Sequence, residues 1–217
     1  MARFSEAQKE IRRQEILAAA LHCFAHDGFH NTTIADIVRA SGVSQGTFYL
    51  YFQTKDDVIA ALADDRSQGE ALINAIAGAE ADPLVGLKLL FDLHGRTLGD
   101  ARRADERRVA VQSWAEALRN DAIRRRLAAN ASRVQQEIAR LIERGQRAGQ
   151  FRADAEPEGV AHALMALFRG LTLQTAWDGT FDSALTEKSI ADMVKGALQP
   201  LDASSHFDQA APEEKQP

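Results

Sequence analysis

TTIADIVRASGVSQGTFYLYFQTKDD, residues 32–57, divides into a short helix, a glycine turn, a second short helix and the start of a third. Thr33 followed by Asp36 has the form of a capping box, a hydroxyl at the N-cap and a carboxylate three residues on. Ile34, Ile37 and Val38 supply its buried side. Ser41-Gly42 ends it, because glycine takes a left-handed conformation without a Cβ clash, and Val43 anchors the turn. Ser44 is an N-cap for the next helix. There Phe48 and Phe52 are four apart and turn inward together. The opposite side carries Gln45, Gly46, Thr47 and Tyr49, residues that hydrogen-bond without excluding a close partner. A helix-turn-helix that reads DNA needs this surface. The N-terminal residues of its second helix reach base edges, while hydroxyls hold phosphates.

The last helix of the stretch, the fourth of the chain, opens at Thr54, again with a carboxylate three residues on, Asp57. Lys55 is the informative residue, since a cation in the first turn opposes the helix dipole. A phosphate placed there would remove the conflict. The alternative is a solvated lysine offset by Asp56 and Asp57.

The run Thr33-Ile34-Ala35-Asp36-Ile37, then Gly42 through Phe52, then Lys55, resembles the DNA-binding domain of the tetracycline-repressor (TetR/AcrR) family of bacterial regulators. The resemblance covers about residues 10–65 and includes the alanine-rich first helix and the segment around Gly28. Tyr51 is a departure, since many members carry histidine there. The resemblance implies that Thr33, Tyr49, Tyr51 and Lys55 lie at the DNA backbone. It places Ser44, Gln45 and Thr47, with Gly46 between them, near the bases. It also implies a homodimer and an effector cavity among the fourth to eighth helices.

Outward from this stretch, the pattern is helical throughout. Apolar residues make up 45% of the 217 and charged residues 26%, with five prolines, and no segment alternates over strand length, so an all-α fold of about nine helices is expected. The formal charge of −5 does not favour nucleic acid in bulk, but the relevant field is local. Through residue 56, Arg3, Lys9, Arg12, Arg13, Arg39 and Lys55 are balanced by Glu6, Glu10, Glu15, Asp27, Asp36 and Asp56. A first helix is expected over 9–26, stopped by Gly28. Its basic cluster, Lys9, Arg12 and Arg13, reads either as a solvated helix end or as contacts to phosphate. Cys23 is the lone cysteine; it excludes an intrachain disulfide and reads as a buried thiol.

The fourth helix is expected to run toward residue 77 through a polar middle at 64–69, as a connector between two domains. Further helices follow over 83–99; after a charged loop and helix start at 100–108, with Val111, Trp114, Ala115 and Leu118 as its stripe; over 120–147, with Ile123, Leu127, Ala131, Val134, Ile138, Leu141 and Gly145 as its stripe; over 157–177; and over 185–198. The expected division is a DNA-binding domain at 9–65 with its helix-turn-helix at 33–52, a ligand-binding and dimerisation domain at 66–200, and a disordered acidic tail at 201–217. The broad apolar faces of the last two helices suit half of an intermolecular four-helix bundle. Candidate cavity residues are Phe91, His94, Trp114, Phe168, Gln174 and Trp177. The plainer reading of His94 is a satisfied core histidine, and of Trp114 core packing. Aromatics with few convergent charges favour a largely apolar effector.

No phosphate-cradling glycine loop, metalloprotease helix, paired-cysteine motif or nucleophile elbow is present. No enzyme is therefore expected, and no cofactor. His22, His26 and His30 are spaced by four, but the local pattern offers His22 and His26 no third ligand, so no metal is expected. Without a spanning segment or apolar leader, the expected location is the cytoplasm. The reading is a ligand-responsive regulator, acting as a repressor on double-stranded DNA. The competing reading is a helical binding protein that does not engage DNA.

Overall fold

The structure, a computed structural model, describes residues 6–63, 73–74, 82–178 and 182–200. Among these residues it is all-α, as expected. The helices are α1 (Glu6–Asn31), α2 (Ile34–Ser41), α3 (Gln45–Tyr51), α4 (Lys55–Ala63), α5 (Pro83–Gly99), α6 (Ala104–Glu116), α7 (Asp121–Arg147), α8 (Pro157–Trp177) and α9 (Ser183–Leu198). A 3-10 turn, Ala101–Arg103, leads into α6. The expected extension of the fourth helix toward 77, its polar middle, the boundary near 65 and the tail at 201–217 lie outside the described residues. No helix among those described is long and apolar enough to cross a membrane.

Helix starts follow the caps that the sequence supplies. Both halves of the Thr33–Asp36 capping box are formed, and α2 ends at Gly42, whose φ of 67° puts it in the left-handed region. The Ser44 side chain accepts the Thr47 N–H at the start of α3, and Asn120 caps α7 through the N–H groups of Ala122 and Ile123. The Thr54 N–H donates to Asp57 at 2.9 Å, and the Asp57 N–H donates to the Thr54 hydroxyl at 3.1 Å.

Two elements differ from expectation. The break in α1 does fall at Gly28 (φ 80°, ψ 163°), but one further helical turn runs on to Asn31. Gln112 of α6 repairs the gap in the hydrogen-bond ladder. Its Nε2 donates to the Phe24 carbonyl at 2.9 Å and its Oε1 accepts the Phe29 N–H at 3.1 Å. The charged stretch, expected as a loop and helix start, turns helical at Ala104. Arg107 turns inward there and donates to the carbonyls of Thr97 and Asp100 at the end of α5. The buried face of α6 is consequently Arg107, Val109 and Ser113, not the expected stripe ending in Leu118, which is 84% exposed.

Two apolar cores result. One gathers Ile16, Leu17, Ala20, Phe24, Phe29, Ile37, Phe48, Phe52, Val58 and Ile59 from α1 to α4, and is completed by Val109 of α6 and Ile123 of α7. The other is built by Leu87, Leu90 and Phe91 of α5, Val134, Ile138, Ala139, Leu141 and Ile142 of α7, Ala161, Leu164 and Phe168 of α8, and Leu198 of α9. Each fully buried side chain of this size contributes about 1.5–3 kcal/mol. Cys23 is buried beside the first core, and burial pushes its thiol pKa up.

Candidate nucleic-acid interface and effector cavity

Phe48 and Phe52 fix the orientation of α3. Both are buried, at 0% and 4% exposure, and they hold their helix side against α1 and α4. That leaves Ser44, Gln45, Gly46, Tyr49 and Leu50 exposed, with Thr47 and Tyr51 half-buried. The hydroxyls of Ser44 and Thr47 hydrogen-bond each other at 2.8 Å, so in the free chain they satisfy one another beside the exposed Gln45. Tyr49 leans edge-on against Phe48, with ring centroids 5.6 Å apart, which restrains its phenol at the rim. Leu50 is 80% exposed and was not among the expected contacts. A side chain this apolar in the middle of an otherwise polar reading face is the one signal that would have singled it out.

Thr33 is exposed at the start of α2. Its hydroxyl donates to Asp36 at 2.6 Å and its N–H donates to the same carboxylate at 2.9 Å. These bonds, with Arg39 beside them, hold the Asp36 pKa down at about 2.

Lys55 is placed otherwise than a simple phosphate contact would require. Its ammonium donates to the backbone carbonyls of Phe29 and Thr32, with His30 at the limit of reach. The conflict between a cation and the start of α4 is thus relieved by the carbonyls around the end of α1, where a helix carries partial negative charge. The basic cluster of α1 is similarly occupied. Lys9 pairs with Glu6 at 2.7 Å, Arg12 with Glu15 at 2.7 Å and Arg13 with Glu10 at 3.5 Å, while Arg13 also lies over the Phe52 ring.

A cavity of about 580 Å³ lies between the two cores. His94 of α5, Trp114 of α6 and Phe168 of α8 line it, together with Ser113, Leu127, Ala131, Met165 and Thr172. Leu127 and Ala131 belong to the expected stripe of α7 and are only half-buried, because the cavity lies where the stripe leaves the core. The wall also includes Leu62 of α4 and Leu21 of α1, residues the sequence reading did not select. His94 stacks on Phe168 with centroids 4.2 Å apart. Its Nε2 is buried without a hydrogen-bond partner, and burial lowers its pKa to about 4.

Three of the expected cavity residues are elsewhere. Phe91 packs edge-on against Phe168 in the core and faces a separate groove between α5 and α9. Gln174 and Trp177 are exposed and do not line the cavity, because the last turn of α8 runs beyond the core that ends at Leu171.

The seam between α1 and α6 carries polar contacts that no local pattern announced. His22 and His26 both face Asp105, and His30 faces Glu116 and Arg119.

A family model described as "Bacterial regulatory proteins, tetR family" matches residues 16–62, and one described as "BetI-type transcriptional repressor, C-terminal" matches residues 96–199. The chain is similar to the HTH-type transcriptional repressor Rv1474c of Mycobacterium tuberculosis, 30% identical over 142 residues that cover 61% of this chain and 75% of that protein. It is also similar to the fatty acid metabolism regulator protein of Bacillus subtilis, 34% identical over 59 residues, 27% of this chain. The chain spans only 30% of that relative's length and 49% of another curated relative's. Among solved structures, a transcriptional regulator from Saccharomonospora viridis in complex with choline superposes with a TM-score of 0.74. It is 30% identical, and the match covers 89% of this chain and all of that one.

Proposed function

Because the chain belongs to the TetR family of bacterial regulatory proteins, we propose that it is a dimeric, effector-released repressor rather than an enzyme, and that it works in the cytoplasm. In this reading α3 enters the major groove of double-stranded DNA. Gln45 and Thr47, with Ser44 and Gly46, face bases, and Thr33, Tyr49 and Tyr51 reach phosphates. Leu50 adds an apolar contact of the kind that recognises a thymine methyl. Two copies would read half-sites about one helical turn apart.

The observation that carries the effector half of the proposal is the reach of the cavity. One wall is His94 and Phe168; the other is Leu62 and Leu21 of the reading unit. A molecule that fits only one arrangement of these walls shifts the balance between DNA-competent and released states by its differential affinity. The lining favours a largely apolar molecule with one polar group to meet the buried His94 Nε2. The Saccharomonospora viridis regulator holds choline. Here Arg124 and Glu106 at the cavity are already paired, with Asp121 and Arg103, and the remaining charge on the lining is Arg169, so a neutral or anionic effector is the better match than a cation.

The dimer is read through α8 and α9. Trp177, Leu185 and Met193 are 73%, 65% and 70% exposed on these helices, an apolar face that a second copy would cover.

Selection of bound sequences from random DNA tests the proposal. An enriched palindrome is expected, and its absence would sink the reading. Against that operator, Gln45→Ala should alter which bases are preferred, whereas Tyr49→Phe should weaken binding to every sequence alike. Release of DNA by apolar metabolites, abolished in a variant with Trp114 truncated or Met165 enlarged, would support the cavity assignment.

A further inference from the structure

The sequence leaves His22 and His26 one helical turn apart on α1 with no third ligand. The fold supplies one from 83 residues away, Asp105 in the first turn of α6. We propose that His22, His26 and Asp105 form a binding site for a divalent late first-row transition-metal ion, of the zinc class, which clamps the DNA-reading unit to the sensing unit.

One ligand atom from each of the three residues falls within 4.8 Å of the others. The His22 Nδ1 is 3.4 Å and the His26 Nδ1 3.9 Å from Asp105 Oδ2. An ion bonded at about 2.0–2.2 Å to each would bring ligand atoms roughly 3.3–3.6 Å apart. That contraction is within the reach of small rotations of exposed side chains. The side chains of His22 and His26 are 67% and 49% exposed and that of Asp105 28%, so an ion enters from solvent without opening a core. The His26 ring is already oriented, since its Nδ1 bonds the His22 carbonyl at 2.9 Å. Ligation through Nδ1, the nitrogen that faces Asp105, replaces this bond and leaves the proton on Nε2, at the solvent side of the ring. Arg108 stands 4.0 Å from the other oxygen of Asp105 and leaves Oδ2 to the ion. Two imidazoles and one carboxylate suit zinc, cobalt or nickel, with water completing the shell, and do not suit magnesium or calcium.

The site does not depend on the effector reading, and its test is separate. Zinc chloride titrated by calorimetry into the full-length, untagged chain after dialysis against EDTA should saturate at one ion per chain, with no signal from magnesium chloride. His22→Ala, His26→Ala and Asp105→Asn should each weaken binding on the order of tenfold or more, while His162→Ala on α8 should leave it unchanged. Zinc should raise the melting temperature of the wild-type chain but not of Asp105→Asn, whose own fold is checked by its unchanged melting without metal. Lack of saturable binding in the micromolar range would overturn the site, as would wild-type affinity in either histidine variant. Full affinity in Asp105→Asn would place the ion on α1 alone and overturn the clamp.

Discussion

His94 keeps its Nε2 buried against Phe168 without a partner, and the cost of charging it there lowers its pKa to about 4 from an ordinary 6.5. Between those two values the unfolded chain binds a proton that the folded chain refuses. Stability therefore falls as pH drops through the window from 6.5 to 4, by on the order of 3 kcal/mol at its lower end. His94→Gln should flatten the acid limb of a denaturation-midpoint series over that window; an unchanged limb would show that the imidazole charges freely in the fold. Lys55 makes a second prediction. Its ammonium satisfies the carbonyls of Phe29 and Thr32 at the corner between α1 and α2. Lys55→Met should cost about 1–3 kcal/mol of stability in the absence of DNA. It should weaken DNA binding through the displaced corner, with little change in salt dependence. A variant of wild-type stability whose salt slope drops by about one would instead make Lys55 a direct phosphate contact.

Elements are joined in this molecule by side chains that reach backbone. The break in α1 at Gly28 is closed by both ends of the Gln112 amide. Gln112→Ala strands a carbonyl and an N–H in a half-buried place, and a loss of about 1–3 kcal/mol is expected in denaturant unfolding; a neutral variant would mean water fills the gap. The caps of α2, α3 and α4 were legible in the sequence because each is made by residues three apart. The bonds of Gln112 to Phe24 and of Asp105 to His22 cross separations of 88 and 83 residues, and no periodicity encodes them. Lys55 was legible as an awkward charge, but the partner that relieves it lies on another helix. Leu50 could have been noticed, since it interrupts a polar face.

At the scale of the whole molecule, the nine helices among the described residues and the inward turn of Phe48 and Phe52 could be read from spacing. The position of the cavity could not, because it is the space left where α7 diverges from its neighbours, and only the assembled helices define it. That is why His94, Trp114 and Phe168 reach it while Gln174 and Trp177 do not. The exposed face of α8 and α9 yields the last prediction. Leu185→Asp with Met193→Asp should leave helix content intact and convert a dimer to monomers in sedimentation, with operator affinity lost in parallel. A wild-type chain that is already monomeric would remove the bundle.

Val109 and Ile123 belong by sequence to the sensing half, yet they complete the core of the reading half. Hybrid regulators made by cutting such a chain at α4 and grafting its head onto a foreign sensor would carry an unfilled notch where these two side chains belong. A transplantable head from this protein has to bring with it, or find matched in its new host, the Gln112 amide and the apolar pair beside it. The unit that an engineer can exchange is therefore not the unit that touches DNA.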